Sequence, residues 1–154
     1  QAFGEGRCEQ HHAAAGGLRD TLGAMLADKN IYRSPQALGP AYEDAGKVRD
    51  ADIETYLRPL LKTERRLDDF RRFLAAFDNK HTLAIEDRLK KLEAPTLIVW
   101  GTDDVYFPVA WARWLARTIP GTKRMVELTG ARIFFPEERW GEFNRELRAH
   151  WQAV

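Results

Sequence analysis

Residues 94–108 read Ala94-Pro-Thr-Leu-Ile-Val-Trp-Gly-Thr-Asp-Asp-Val-Tyr-Phe-Pro108, and the hydropathy pattern changes period within them. Thr96 to Trp100 is a continuous β-favouring run that stops at Gly101, which predicts a strand buried on both faces. Residues 101–108 are polar enough to predict a turn. Downstream, Trp111, Trp114, Leu115 and Thr118 or Ile119 mark a helix closed by Pro120-Gly121. Arg124 to Leu128, with Met125, Val126 and Leu128 apolar, predicts a second short strand. Pro136 followed by Glu137 and Glu138 predicts a helix start, with proline in the first turn and acids at the positive end of the dipole. Trp140, Phe143, Leu147 and Trp151 then form an apolar stripe to the C-terminus. Strand, helix, strand, helix implies a parallel pair joined by a right-handed crossover. Two parallel strands cover neither their edges nor their faces, so further strands are expected to be missing.

Upstream of residue 94 the period is helical. Leu18, Leu22, Met25 and Leu26 share one face of a helix from Gly17 to near Asp28. Residues 29–49 carry Ser34-Pro35, Gly39-Pro40 and Gly46 and predict a loop with one short helix. Asp50 is placed to cap a helix with Ile53, Tyr56, Leu57, Leu60 and Leu61 on its stripe, and Pro59 should kink or end it. Thr63 is placed to cap the next, where Leu67, Phe70, Phe73, Leu74 and Phe77 recur at steps of three and four. Residues 1–16 show no period and predict a loose arm. The expected organisation is that arm, a helical region over 17–92 and a βαβα segment over 95–154. The fold class is α/β, helix-rich, with a short parallel strand pair.

Composition narrows the function classes. A chain of 154 residues suits one domain able to bury roughly 68–70% of its unfolded surface. With 44% apolar residues it is not a disordered chain, and its single cysteine excludes an internal disulfide framework. Twenty-four basic residues against 23 acidic ones leave no global field for nucleic acid or anionic lipid. The longest aliphatic run is too short to span a bilayer, and no signal segment opens the chain, so a cytoplasmic protein is expected. The first methionine is Met25, which leaves three origins open: processing, excision from a longer chain, or engineering.

The stretch 94–108, together with Trp111-Ala-Arg-Trp-Leu115, Ile119-Pro-Gly121 and Phe135-Pro-Glu-Glu-Arg139, resembles the C-terminal segment of α/β-hydrolases of the haloalkane dehalogenase and epoxide hydrolase type. The resemblance implies that the two strands are the seventh and eighth of that fold and that the last helix packs on the sheet. Residues near 30–92, with Tyr42-Glu-Asp44 and Tyr56-Leu-Arg-Pro-Leu60, resemble the family's helical cap. In all it covers residues 30–152. It places Asp104 where such enzymes hold the acid that orients a catalytic histidine, at the carboxyl end of a parallel strand. The alternative is that Asp103 and Asp104 form an Asx turn and cap the following helix. The implied activity is hydrolysis of a small organic substrate (ester, epoxide or carbon–halogen bond) with no cofactor.

Three departures set this chain apart from the family pattern. Its only serine, Ser34, stands in Ser-Pro and not in a nucleophile elbow. Anchored on residues 137–139, Ile133 takes the histidine position and Arg132 the glycine before it. The first half of the fold, with its oxyanion donors, is absent. The chain alone is therefore expected to be inactive. The alternatives are a non-catalytic binding protein that forms homo-oligomers through its exposed strand edge, and an enzyme whose missing residues come from a partner chain.

Other constellations are weaker. Cys8, Glu9, His11 and His12 offer thiol and imidazole, but no second ligand pair follows at a fitting spacing, so no metal site is assigned. His81 and His150 read as surface residues. Tyr56, Phe70, Phe73 and Phe77 either line a substrate pocket under the cap or form its core. Trp111, Trp114, Trp140 and Trp151 read as packing anchors. Lys62, Arg65, Arg66, Arg71 and Arg72, interleaved with Glu64, Asp68 and Asp69, read as a solvated face. There is no P-loop and no dinucleotide fingerprint.

Overall fold

Six helices precede the first strand in the computed structural model, which describes residues 17–153. Helix α1 spans Gly17–Ala27 and α2 spans Lys29–Arg33, with Asp28 capping α2 by accepting from the Asn30 N–H at 2.9 Å. Two 3₁₀ turns, Gly39–Ala41 and Ala45–Lys47, lead into α3 (Asp50–Leu61). The residue at the N-cap of α3 is Arg49, without a side-chain cap bond, rather than the expected Asp50. Asp50 pairs instead with Arg33, whose guanidinium also donates to the Val48 carbonyl at 2.6 and 3.0 Å. That ion pair draws the carboxylate away from the backbone amides it would have capped. Pro59 lies inside α3, which ends two residues later. Thr63 caps α4 (Glu64–Ala75) as expected, accepting from the Arg66 N–H at 3.3 Å. Two single-turn helices, α5 (Lys80–Leu83) and α6 (Glu86–Leu89), were not legible in the sequence.

Strand β1 (Thr96–Gly101) is followed by α7 (Val109–Thr118) and β2 (Thr122–Leu128), and the strands pair in parallel with Ile98 opposite Met125 and Gly101 opposite Leu128. They are the only strands of the sheet among the described residues. The chain is thus helix-rich α/β with a short parallel pair. Within β1 only Ile98 and Gly101 are buried, so the expectation of burial on both faces does not hold. An apolar strand is covered only where neighbours exist, and among the described residues β1 has one strand beside it.

The expected C-terminal helix is split into α8 (Phe135–Glu138) and α9 (Trp140–Ala153). Arg139, between them, leaves the helical region at φ −121° and ψ 38° and forms a bidentate pair with Glu43 at 2.7 Å. A contact across the fold thereby interrupts local propensity.

The principal core lies in the helical region. Tyr32, Tyr42, Ile53 and Leu67 are its fully buried large side chains, joined by Leu22, Val48 and Leu57. Ile133 and Phe134 reach into it from the loop after β2. The far end of the α4 stripe is bare: Phe73 is 60% exposed and Phe77, beyond the helix end, 62%. Trp140 and Trp151 are likewise 66% and 64% exposed, so neither acts as a packing anchor within this chain. The loose arm 1–16 and the Cys8, His11 and His12 group lie outside the described residues.

Candidate functional site

The carboxyl ends of β1 and β2 lie side by side, and hydrogen bonds tie the loops beyond them together. Thr102 N–H donates to Leu128 O at 3.0 Å, Asp103 N–H to Ala131 O at 3.0 Å, and Gly130 N–H to Thr102 Oγ1 at 2.8 Å. Gly101 has no room for a side chain, because a Cβ there would lie 2.2 Å from the Ala131 carbonyl oxygen. Gly130 has φ +78°, the left-handed conformation that glycine adopts without steric cost. The Gly101–Asp104 and Gly130–Ile133 segments are therefore held as one unit at the end of an open parallel sheet, where such folds form their crevice.

Asp104 stands in that unit, half-buried. Its Oδ1 accepts from the backbone N–H groups of Tyr106 and Phe107 at 2.8 and 2.9 Å, which closes the turn before α7. This is the Asx-turn geometry, while the N-cap of α7 itself is Pro108. Such an arrangement fixes a carboxylate in space, which suits both a structural turn and an orienting acid. Across the crevice Ile133 packs on the helical core, and Arg132 Nη1 donates to the Pro40 carbonyl at 3.2 Å. Neither side chain can accept a proton at neutral pH. Ser34 Oγ donates to Ile31 O at 2.8 Å at the end of α2 and serves as a helix terminator.

The helical region is fastened above these strand ends by α8 and the residues just before and after it. Glu138 accepts with both oxygens, from the Glu43 N–H at 2.7 Å and the Asp44 N–H at 2.9 Å. Its neighbour Arg139 holds Glu43, and that guanidinium keeps the Glu43 carboxyl below the usual carboxylate range. Glu137 accepts from the Tyr56 hydroxyl at 2.6 Å. This hydrogen bond, with burial and the carboxylate charge behind it, pushes the Tyr56 phenol up to about 12. Phe134 packs against Tyr42 at 4.6 Å between centroids with the rings tilted by 34°, and the Tyr42 and Tyr32 hydroxyls are 3.1 Å apart in the core. Burial raises both phenols, so the pair stays neutral.

Three of the four residues expected to line a pocket, Phe70, Phe73 and Phe77, form one aromatic run on and just beyond α4. Phe70 is half-buried and lies parallel to Phe73 at 6.4 Å, and Phe73 meets Phe77 edge-on at 6.1 Å. Tyr56 belongs instead to the Glu137 contact. His81 is exposed and His150 half-buried at the end of α9. His150 borders a groove of about 460 Å³ formed by Leu97, Val99, Phe143 and Leu147, between β1 and α9. The Tyr32–Tyr42 pair and the α8 contacts escaped sequence reasoning. Their signal was present in the tyrosines themselves, which stand in a Gly- and Pro-rich stretch where a large amphipathic ring must bury its hydroxyl against a partner.

No protein-family model matches the chain, and no curated protein does either. Among solved structures, Est816, an N-acyl homoserine lactone degrading enzyme, superposes with a TM-score of 0.54 at 28% sequence identity. The match covers 83% of this chain and 50% of that one, so the chain spans half the length of the enzyme it resembles. The likeness is thus to a hydrolase and extends over most of the described fold. No helix among the described residues is long and apolar enough to cross a membrane.

Proposed function

We propose that this chain is the cap-bearing, C-terminal portion of an α/β-hydrolase-type enzyme acting on a small organic ester, a lactone being the form that the Est816 likeness favours. In this reading Asp104 occupies the position of the acid that orients a catalytic histidine. Phe70, Phe73 and Phe77 face the substrate once the rest of the sheet is in place. The supporting observation is the tied crevice at the carboxyl ends of β1 and β2, with a fixed carboxylate in it and a helical region fastened over it by residues 137–139.

In this reading the chain supplies the acid, while the nucleophile and the base come from another segment or chain. An orienting carboxylate acts only through a histidine. With Ile133 in that place, the chain alone should hydrolyse an acyl lactone or a p-nitrophenyl ester no faster than buffer. Turnover by the chain alone, lost on Asp104→Ala, would overturn this assignment.

A second reading has one observation in its favour. Among the described residues no strand pairs with the edge of β1 away from β2, and the 460 Å³ groove beside it is lined by Leu97, Val99, Phe143 and Leu147. A non-catalytic protein that self-associates by adding a strand there would use the same surface. Size-exclusion chromatography with light scattering separates the two. A stable dimer supports the binding reading, whereas a monomer, or a species completed only by an added polypeptide, supports the enzyme reading.

A further inference from the structure

A groove of about 850 Å³ beside the α3–α4 junction is untouched by the reading above. Leu26, Pro59 and Leu61 supply its apolar lining, and Arg58, Lys62 and Arg66 its positive charge. The acid among its lining residues, Glu54, is already engaged by Lys29 and Arg58. The negative end of the α3 dipole accounts for cations at Arg58 and Lys62. It does not account for Arg66, which sits in the first turn of α4, where the backbone partial charge has the same sign as its own. Among the described residues the polar contact of the Arg66 side chain is a long one, 3.5 Å to the Pro59 carbonyl. Neither Lys62 nor Arg66 has an acidic partner among the described residues.

Uncompensated cations beside an apolar surface match a ligand that is anionic at one end and aliphatic at the other. No aromatic side chain lines the groove, so base stacking, on which single-stranded nucleic acid relies, is not offered. The volume falls within the range of small-molecule sites. We propose that this groove binds single-chain amphiphiles with an anionic head, the carboxylate meeting Lys62 and Arg66 through charge-assisted hydrogen bonds and the alkyl chain lying on Leu26, Pro59 and Leu61. The site stands whether or not the sheet is completed, because α1, α3, α4 and Lys62 in the link between α3 and α4 carry all of it.

The test is a titration of the ¹⁵N-labelled chain with decanoate below its micelle concentration, followed by two-dimensional NMR. Saturable shifts should concentrate on the amides of Leu26, Thr55, Leu61, Lys62 and Arg66. Decanol, with the same chain but no charge, should bind at least tenfold more weakly. The double variant Lys62→Glu/Arg66→Glu should lose at least tenfold in affinity for decanoate while keeping its far-UV circular dichroism. Equal binding of decanol and decanoate, undiminished binding by the folded double variant, or shifts centred on the exposed Phe73 and Phe77 would each overturn the assignment. Should the double variant not fold, the ratio of decanoate to decanol affinity in the parent chain decides.

Discussion

The helical region and the segment that holds the strand pair are both rich in apolar residues, yet they end in different states. In the helical region Tyr32, Tyr42, Ile53 and Leu67 are sealed from solvent. Around the strand pair, Trp111, Trp140 and Trp151 are exposed and only Ile98 and Gly101 of β1 are buried. The reason lies in how each element satisfies its backbone. A helix closes its hydrogen bonds within itself and needs a neighbour on one stripe only. A parallel strand needs partners on both edges and cover on both faces. Three or four helices can therefore complete a core where two strands cannot.

That contrast is sharpest in stability. Leu67→Ala, in the sealed core, should cost about 2–5 kcal/mol in urea unfolding followed by circular dichroism. A value near zero would mean the helical region is not the stabilising unit. Gly101→Ala tests the one tightly determined point of the strand region. Its new Cβ would meet the Ala131 carbonyl at 2.2 Å, so a loss of about 3 kcal/mol is expected, together with detachment of the two loops at the strand ends.

The junction between the regions titrates. Glu43 has a depressed folded-state pKa, so its pair with Arg139 contributes stability above the ordinary glutamate range and loses it as pH falls through the depressed value. Arg139→Met should lower stability at neutral pH by less than about 1 kcal/mol, because the pair is partly exposed, and should flatten the acid limb of the stability–pH curve. An unchanged acid limb would remove the junction from the account. Tyr56 has the opposite sign. Its pKa is raised, so the Glu137 bond is fully present below the ordinary tyrosine pKa of about 10 and is lost as pH rises through about 12. Ultraviolet titration should show one late-ionising phenol besides the buried pair, and Glu137→Gln should bring it back toward the ordinary range.

The smallest effect carries the most information about completion. Trp151→Ala should change the stability of the isolated chain by no more than about 0.5 kcal/mol, as for other exposed sites. A loss well above that in an oligomer or complemented assembly would show that α9 is covered there, and by what.

Much of the fold was legible in the residues. The strand before Gly101, the Thr63 cap, the parallel pair and the helical run before it all follow from period and local chemistry, which act over a few residues. The turn role of Asp104 was readable as well, because Asp-x-aromatic backbone capture is local. Other features were decided only in three dimensions. Asp50 gave up its cap to Arg33, Arg139 broke a helix to reach Glu43, and Glu137 and Glu138 took partners more than eighty residues away. Whether the α4 aromatics and the tryptophans are core or surface was decided there too. An amphipathic stripe records that a face is apolar, and only the rest of the fold determines whether anything covers it.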